Sequence, residues 1–163
     1  MKPLVGVRLA GEPVPYRYEL VKRGGQRVIA DAKRYAAWKR DAVDRIKRWV
    51  ANTGTATIKV PVVCVVEAWM ERAKGGIPSF ATVGGQAVPL PRSWQGPRRV
   101  PCVAPGDTTN LGKAAEDAIV QGGLLLDDRL CVETQARKGW TAESEPPCVE
   151  VRLYDASEWY LAF

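Results

Sequence analysis

The segment Ala56–Trp69 places the strongest constraint on how this chain folds. It is rich in β-branched residues, and its apolar run at Val60–Val66 predicts a long and well-buried strand. That run is far shorter than the roughly 20 apolar residues that a membrane helix requires. The chain has 163 residues, close to the ~100–200 of one ordinary domain. We therefore predict a single domain over residues 1–163, with no membrane segment.

Two further segments have helical periodicity. Asp31–Val50 has apolar residues at helical spacing, with Asp31 placed to cap its first turn and Gly54 placed to end it. Thr108–Gln121 has an alanine-rich apolar face, and Asp107 can cap it. Together with the buried strand, these helices predict a mixed α/β (α+β) fold in which a mixed sheet is packed by two main helices.

Shorter strands complete the predicted sheet. They fall at Val5–Leu9, Leu130–Ala136 and Val149–Tyr154. The stretch Tyr16–Ile29 predicts a hairpin around Gly24-Gly25, because glycine adopts the positive φ values of a tight turn.

Glycine and proline interrupt residues 73–105 repeatedly, which predicts a long loop. The loop is basic and also contains Phe80 and Trp94. Either it wraps around DNA and stacks on unpaired bases, or it is a tolerated surface insertion.

Basic residues are concentrated at the front of the chain and acidic residues at the rear. The net charge is +6, but residues 1–50 hold 13 Lys/Arg against 5 Asp/Glu, whereas residues 106–163 hold 5 against 11. This asymmetry is typical of a polyanion-binding surface that leads to clustered carboxylates. Two solvated faces without function would give the same totals. The basic face of the Asp31–Val50 helix has the same two interpretations, phosphate contact or simple solvation.

The chain contains no histidine, which excludes several classes of catalysis. Ser-His-Asp and Cys-His hydrolases, Cys2His2 zinc sites and nucleases with a histidine base all require one. The four cysteines lack the short spacing of a zinc or redox motif, so we expect reduced, buried thiols at Cys64, Cys102, Cys131 and Cys148. No apolar signal region follows Met1, and we expect a soluble, cytoplasmic protein.

The candidate catalytic residues are the carboxylates around the second helix. Asp107 precedes that helix, and the pair Asp127-Asp128 follows the next strand-like segment. If these two loops meet at one edge of the fold, the carboxylates need a cation, and oxygen ligands suit Mg²⁺ or Mn²⁺. Lys113 could add a fixed positive charge there. Spacing alone is a weak indication of a metal site, since aspartate at a helix start is commonly only a cap and Asp-Asp is common in surface turns.

The stretch Pro105–Val132 resembles the signature of the RusA family. The family pattern runs Pro-Asp-x-Asp-Asn-Leu-x-Lys, then three residues and Asp-Ala-Leu, a short spacer, and Asp-Asp before an apolar strand. The residues that match it are Asp107, Asn110, Leu111, Lys113, Asp117, Ala118, Asp127 and Asp128. RusA proteins are small α/β homodimers of phage and prophage origin that resolve four-way (Holliday) DNA junctions.

The resemblance implies a Mg²⁺-dependent, structure-selective endodeoxyribonuclease that cuts two strands of like polarity. Asp107 and Asp128 match the first and last metal-binding aspartates of the family, and Lys113 matches its catalytic lysine. Asp127, next to Asp128, is a further candidate metal ligand, but the resemblance assigns it no definite role.

Three positions depart from the pattern: Gly106 stands for its proline, Ile119 for its final leucine and Thr109 for its second aspartate. The departure at Thr109 matters for the metal site. A neutral hydroxyl is a weaker Mg²⁺ ligand than a carboxylate. Either Thr109 binds through water, or Asp127 or Asp117 substitutes, or the site is weakened. Loss of the site would leave a catalytically inactive dimer that binds branched DNA, and a protein-interaction module is a third possibility.

The implied partners are branched DNA and a second copy of the chain. A four-way junction has two-fold symmetry, so paired cuts need two equivalent sites, which a homodimer provides. The apolar residues from Trp159 to Phe163 are candidates either for the dimer contact or for simple core packing. The residues that we assign to DNA contact are Arg17, Lys22, Arg23, Arg27, Lys33, Arg34, Arg40, Arg98, Arg99 and Lys138.

Overall fold

A five-stranded mixed sheet, covered on one face by two helices, organises the fold in the computed structural model. The structure describes residues 1–14, 18–23, 26–72, 76–77, 79–83, 85–102 and 107–162. The strands are β1 Val5–Ala10, β2 Tyr18–Arg23, β3 Gln26–Asp31, β4 Val62–Met70, β5 Phe80–Val83, β6 Gln86–Pro89, β7 Val100–Pro101, β8 Cys131–Trp140 and β9 Cys148–Asp155. The helices are α1 Lys33–Thr53, α2 Thr108–Gln121 and α3 Ala156–Leu161, with short 3-10 turns at Arg92–Gln95 and Asp128–Leu130.

Strand β4 lies at the centre of the sheet, whose order is β1-β9-β4-β8-β7. It pairs antiparallel with β9 and parallel with β8. A parallel pair requires a crossover connection, and α2 lies within it and packs against both strands. The hairpins β2–β3 and β5–β6 form separate two-stranded sheets. This topology brings the start of β8 beside α2.

The face of the sheet that meets α1 and α2 is apolar. Burial alternates along β1, so that Val5, Val7 and Leu9 point towards the helices. The core residues of the other strands and of the two helices include Val62, Cys64, Val66, Val149, Val151, Leu153, Ala42, Val43, Ile46, Ala115, Ala118 and Ile119. The predicted mixed α/β fold with two main helices in a single small domain is therefore confirmed. None of the four cysteines forms a disulfide, and Cys64, Cys102 and Cys148 are buried as predicted, whereas the predicted burial of Cys131 at the start of β8 is wrong because its side chain is only partly covered.

Helix α1, at Lys33–Thr53, begins and ends later in the chain than the helix predicted at Asp31–Val50. The predicted cap at Asp31 is wrong, because Asp31 pairs with Tyr18 in the β2–β3 hairpin and Ala32 takes the N-cap position without a side-chain hydrogen bond. Gly54 ends the helix as predicted, with a φ of 65° that glycine adopts at little cost. None of the helices in the described part of the chain has the length and apolar character needed to cross a membrane.

Strand β4 is as buried as predicted but shorter than Ala56–Trp69. Pro61 stands directly before it, and a residue without an N–H cannot donate to the ladder, so regular pairing begins at Val62. Upstream of Pro61, Ile58 forms only an isolated bridge with Leu125.

Within the described residues, the predicted loop at 73–105 contains regular structure: the β5–β6 hairpin, a 3-10 turn and the edge strand β7. Arg72 ties this segment to the rest of the fold. Its guanidinium donates to the carbonyl oxygens of Thr141 at 3.0 Å, Gly96 at 2.7 Å and Arg98 at 2.5 Å. Phe80 on the hairpin remains 56% exposed.

Candidate active site

The start of α2 positions the first candidate residue. Asp107 is the N-cap, as predicted, and its Oδ1 accepts a hydrogen bond from the backbone N–H of Thr109 at 2.9 Å. Aspartate is favoured here because it satisfies one of the unpaired N–H groups of the first turn. The cap leaves an exposed carboxylate at the positive end of the helix dipole.

Lys113 lies at the centre of a group of carboxylates. Its Nζ is 3.2 Å from Asp117 Oδ1, 3.5 Å from Asp128 Oδ2 and 3.8 Å from Glu116 Oε2. Glu116 and Asp117 lie one turn further along α2, at the spacing at which helical side chains meet. Asp128 comes from the turn that precedes β8. We call these four residues the Lys113 cluster.

The charges of the Lys113 cluster are unbalanced, because three carboxylates surround one ammonium group. Burial opposes the charge on Lys113, but its hydrogen bond with Asp117 and the charges of the three carboxylates outweigh burial and raise the pKa of Lys113 above its usual value. Lys113 is therefore protonated at neutral pH. The excess negative charge favours the approach of a further cation.

Two residues outside α2 hold the carboxylates of the Lys113 cluster. Tyr35 is fully buried on α1, and its hydroxyl donates to Asp117 Oδ2 at 2.7 Å. The hydroxyl of Thr134 on β8 donates to Glu116 Oε1. Sequence reasoning singled out none of Tyr35, Thr134 and Glu116 as functional. The only signal in the sequence was the spacing of three residues between Lys113 and Glu116.

Helix α2 approaches β8 closely, and a groove of about 340 Å³ lies beside the contact. Gly112 permits this approach, since a Cβ at that position would lie 3.0 Å from Cγ2 of Thr134. The groove is lined by Thr108, Thr109, Gly112, Lys113, Glu116, Thr134 and Ala136. Thr109 thus faces the same groove as Lys113, one helical turn away.

The paired aspartates have different partners. Asp127 Oδ1 accepts hydrogen bonds from the backbone N–H of Arg129 at 2.9 Å and from its Nε at 2.8 Å. The hydrogen bond with the Arg129 side chain is the main reason that the pKa of Asp127 lies far below its usual value. Asp128 instead lies beside Lys113, with 57% of its side chain exposed. Of the two, the structure brings Asp128 into the Lys113 cluster.

The predicted convergence of Asp107 and Asp128 on a metal ion stays a prediction. Asp107 lies six residues before Lys113, about 9 Å along the axis of α2 at a rise of roughly 1.5 Å per residue. In the described ranges, no group of three or more Asp, Glu, Cys or His side chains is arranged to hold a metal ion. The donor chemistry does fit Mg²⁺, because the acidic side chains around the groove offer only oxygen atoms.

The predicted DNA-contact residues differ in their surroundings. Those that are exposed are Lys33, Arg34, Arg40 and Arg98. Arg99 is half-buried, because its guanidinium pairs with Glu145 and Glu150 and lies 4.4 Å from the ring centre of Trp69. Lys138 is half-buried on β8. Arg17 lies outside the described residues, as do the side chains of Lys22, Arg23 and Arg27, whose backbones belong to β2 and β3.

Comparison with protein families gives one match. A family model described as Endodeoxyribonuclease RusA matches residues 10–154. This range includes Asp107, Asp127 and the whole Lys113 cluster. A search of curated proteins found no match.

Proposed function

The chain belongs to the RusA endodeoxyribonuclease family, and we propose that it is a Mg²⁺-dependent, structure-selective enzyme that resolves four-way DNA junctions. Membership confirms the resemblance noted for Pro105–Val132, and endodeoxyribonuclease activity is the activity of this family. One observation supports the proposed catalytic site most strongly. Lys113 and Asp128 come from opposite ends of the family motif, and their charged groups lie 3.5 Å apart.

In the proposed reaction, Lys113 holds a permanent positive charge beside the scissile phosphate. Such a charge stabilises the negative charge that develops on the phosphoryl oxygens in the transition state. Asp117 and Glu116 hold the ammonium group in place, and Tyr35 and Thr134 in turn hold these two carboxylates. The ammonium is therefore positioned before DNA arrives.

We assign Asp107 and Asp128 as the principal metal-holding residues, with Asp127 and Thr109 as further candidates. A bound Mg²⁺, or Mn²⁺ in its place, would polarise the phosphodiester and make a bound water more acidic. Asp127 contributes only if it gives up part of its pairing with Arg129. Thr109, as a neutral group, contributes through its hydroxyl or through water.

Branched DNA and a second copy of the chain are the partners that we propose. Two equivalent active sites in a homodimer would make the paired cuts that a two-fold symmetric junction requires. The exposed basic residues of α1 would lie along DNA phosphates. Such an enzyme would act in DNA recombination and repair in the cytoplasm of a bacterial host, and a phage or prophage origin fits the family.

Cleavage of a synthetic four-way junction, beside a linear duplex of the same sequence, tests this function. We expect paired, symmetric cuts in the junction when Mg²⁺ is present. We expect no cuts in EDTA, and none in the duplex. If the junction is bound but stays intact in both Mg²⁺ and Mn²⁺, the enzymatic proposal is wrong.

A catalytically inactive dimer that binds branched DNA is the second candidate function. It is favoured by Thr109 in place of an aspartate and by the pairing of Asp127 with Arg129, which together reduce the carboxylates open to a metal ion. This candidate predicts tight, junction-selective binding without cleavage. A protein-interaction module would instead bind DNA weakly and without regard to branching.

Thr109→Asp is expected to lower the Mg²⁺ concentration for half-maximal cleavage by about tenfold, because it adds a charged oxygen ligand to the groove. The measurement is a Mg²⁺ titration of the junction-cleavage rate. Thr108→Asp is the matched control, since it adds the same charge one residue away in the first turn of α2, and we expect a smaller change. An unchanged Mg²⁺ requirement in Thr109→Asp would place Thr109 outside the metal shell.

A further inference from the structure

The face of the sheet opposite α1 and α2 carries a cleft of about 400 Å³. Its floor is Val65 on the central strand β4. Gln135 on β8 and Arg152 on β9 lie directly across from Val65 in the two strand pairings. The residues that line this sheet-face cleft are Val65, Gln135, Ala136, Arg137, Arg152, Tyr154 and Trp159.

A buried carboxylate fixes the two arginines of the sheet-face cleft. Glu67 is only 3% exposed, and it forms ion pairs with Arg137 through Oε1 and with Arg152 through Oε2, the latter at 2.8 Å. A second nitrogen of Arg152 donates to Glu150 Oε2 at 3.0 Å. The side chain of Arg137 remains 69% exposed, and a guanidinium has five N–H donors in a fixed plane. Arg137 is thus held by Glu67 through one nitrogen, while most of its side chain stays exposed to solvent.

Two aromatic rings form the other end of the sheet-face cleft. Tyr154 on β9 and Trp159 on α3 have ring centres 5.0 Å apart and planes tilted by 53°. The first turn of α3 is capped by Asp155, whose Oδ1 accepts from the N–H of Ser157 at 2.9 Å, and this sets the position of Trp159. Both rings are half-buried, so part of each aromatic surface faces the cleft.

The sheet-face cleft adjoins the candidate active site. Ala136 lines both the cleft and the groove between α2 and β8. In the described residues, β7 and Cys102 bond to β8 only between Lys138 and Trp140, so the described chain leaves the earlier part of β8 as an edge. A flexible strand that passes Lys113 can therefore cross this edge of β8 and enter the cleft.

We propose that the sheet-face cleft binds an unpaired nucleotide of a DNA single strand, with its base against Tyr154 and Trp159 and its phosphate on Arg137. Base–aromatic stacking tolerates any base, and arginine pairs well with phosphate oxygens. Duplex DNA does not fit, because its bases are stacked and unavailable. The proposal rests on the proposed function only in taking DNA as the ligand, and it does not require cleavage.

Binding of fluorescein-labelled (dT)8, measured by anisotropy in EDTA, tests the proposal without involving catalysis. Trp159→Ala and Arg137→Ala are each expected to weaken (dT)8 binding by about tenfold. The matched controls are Leu161→Ala on the same helix and Lys59→Ala, which removes an exposed positive charge that lines neither the sheet-face cleft nor the 73–105 loop. We expect both controls to bind (dT)8 as the unsubstituted protein does. Affinity for a 12-base-pair duplex should change by less than twofold in all four variants.

Two checks keep the result interpretable. Urea unfolding establishes that each variant is folded, and Trp159→Phe, which keeps an aromatic face, should restore most of the affinity.

If Trp159→Ala and Arg137→Ala bind (dT)8 like their controls, the proposal is wrong. It is also wrong if these variants change the sedimentation mass instead of (dT)8 affinity, because the cleft would then be a contact between copies of the chain. Failure of junction cleavage with (dT)8 binding intact would overturn the proposed function alone.

Discussion

Asparagine in place of Asp128 is expected to slow junction cleavage by at least about 100-fold while junction affinity stays within about twofold. Asparagine keeps the shape of the side chain and removes its charge, so Asp128 would lose the metal-holding role that we propose for it beside Lys113. A single group that acts on transition-state charge commonly contributes about two to three orders of magnitude. Single-turnover cleavage rates and gel-shift affinities measure the two quantities separately.

Two companion variants sharpen this test. Asp127→Asn should reduce cleavage less than Asp128→Asn does, because Arg129 already engages the carboxylate of Asp127. Glu143→Gln removes an exposed carboxylate outside the Lys113 cluster and should leave the rate unchanged. Cleavage by Asp128→Asn at the rate of Glu143→Gln would exclude Asp128 from the reaction.

Gly139→Ala is expected to lower the free energy of unfolding by about 3 kcal/mol, as overpacking in a close-packed interior does. A Cβ at Gly139 would lie 2.5 Å from Cζ3 of Trp69 and 2.7 Å from the backbone oxygen of Val100. Trp69 cannot move freely, since Arg99 lies over its ring. Urea unfolding followed by circular dichroism gives the change.

Gly96→Ala is the matched control for this substitution. A Cβ at Gly96 has no atom within 4 Å, and the backbone φ of −74° suits alanine. We expect Gly96→Ala to be neutral or slightly stabilising, because it restricts the unfolded chain. Equal stabilities for the two variants would mean that β8, β4 and β7 can separate at Gly139 without cost.

The sequence predicted those parts of the fold that depend on local interactions. The cap at Asp107 and the end of α1 at Gly54 are properties of one helical turn, and both are confirmed. The cap at Asp31 was wrong because its pairing with Tyr18 is a contact between strands, to which helix-capping rules do not apply. The later start of β4 could have been predicted from the sequence, because Pro61 has no N–H to donate to a neighbouring strand.

The candidate site was less accessible from the sequence. The motif named Lys113 and Asp128, but the 3.5 Å approach of their charged groups depends on how the turn before β8 packs beside α2. Nothing in the sequence indicates that the hydroxyl of Tyr35 holds Asp117, because the two residues lie on different helices and meet only in the folded chain. The sheet-face cleft draws residues from β4, β8, β9 and α3, and no single stretch of sequence contains a pattern that indicates it.

The connection between β4 and α2 contributes no residue to the Lys113 cluster. The described parts of residues 71–107 follow β4, include the edge strand β7 and end at the Asp107 cap, so the length of the part before β7 can change while β4 and β8 stay paired. Arg72 anchors one end of this insert, and the cap anchors the other. We expect a chimera with a foreign insert between these anchors to keep the Lys113 cluster, and a changed preference among branched DNAs would show that residues 73–105 contact the substrate.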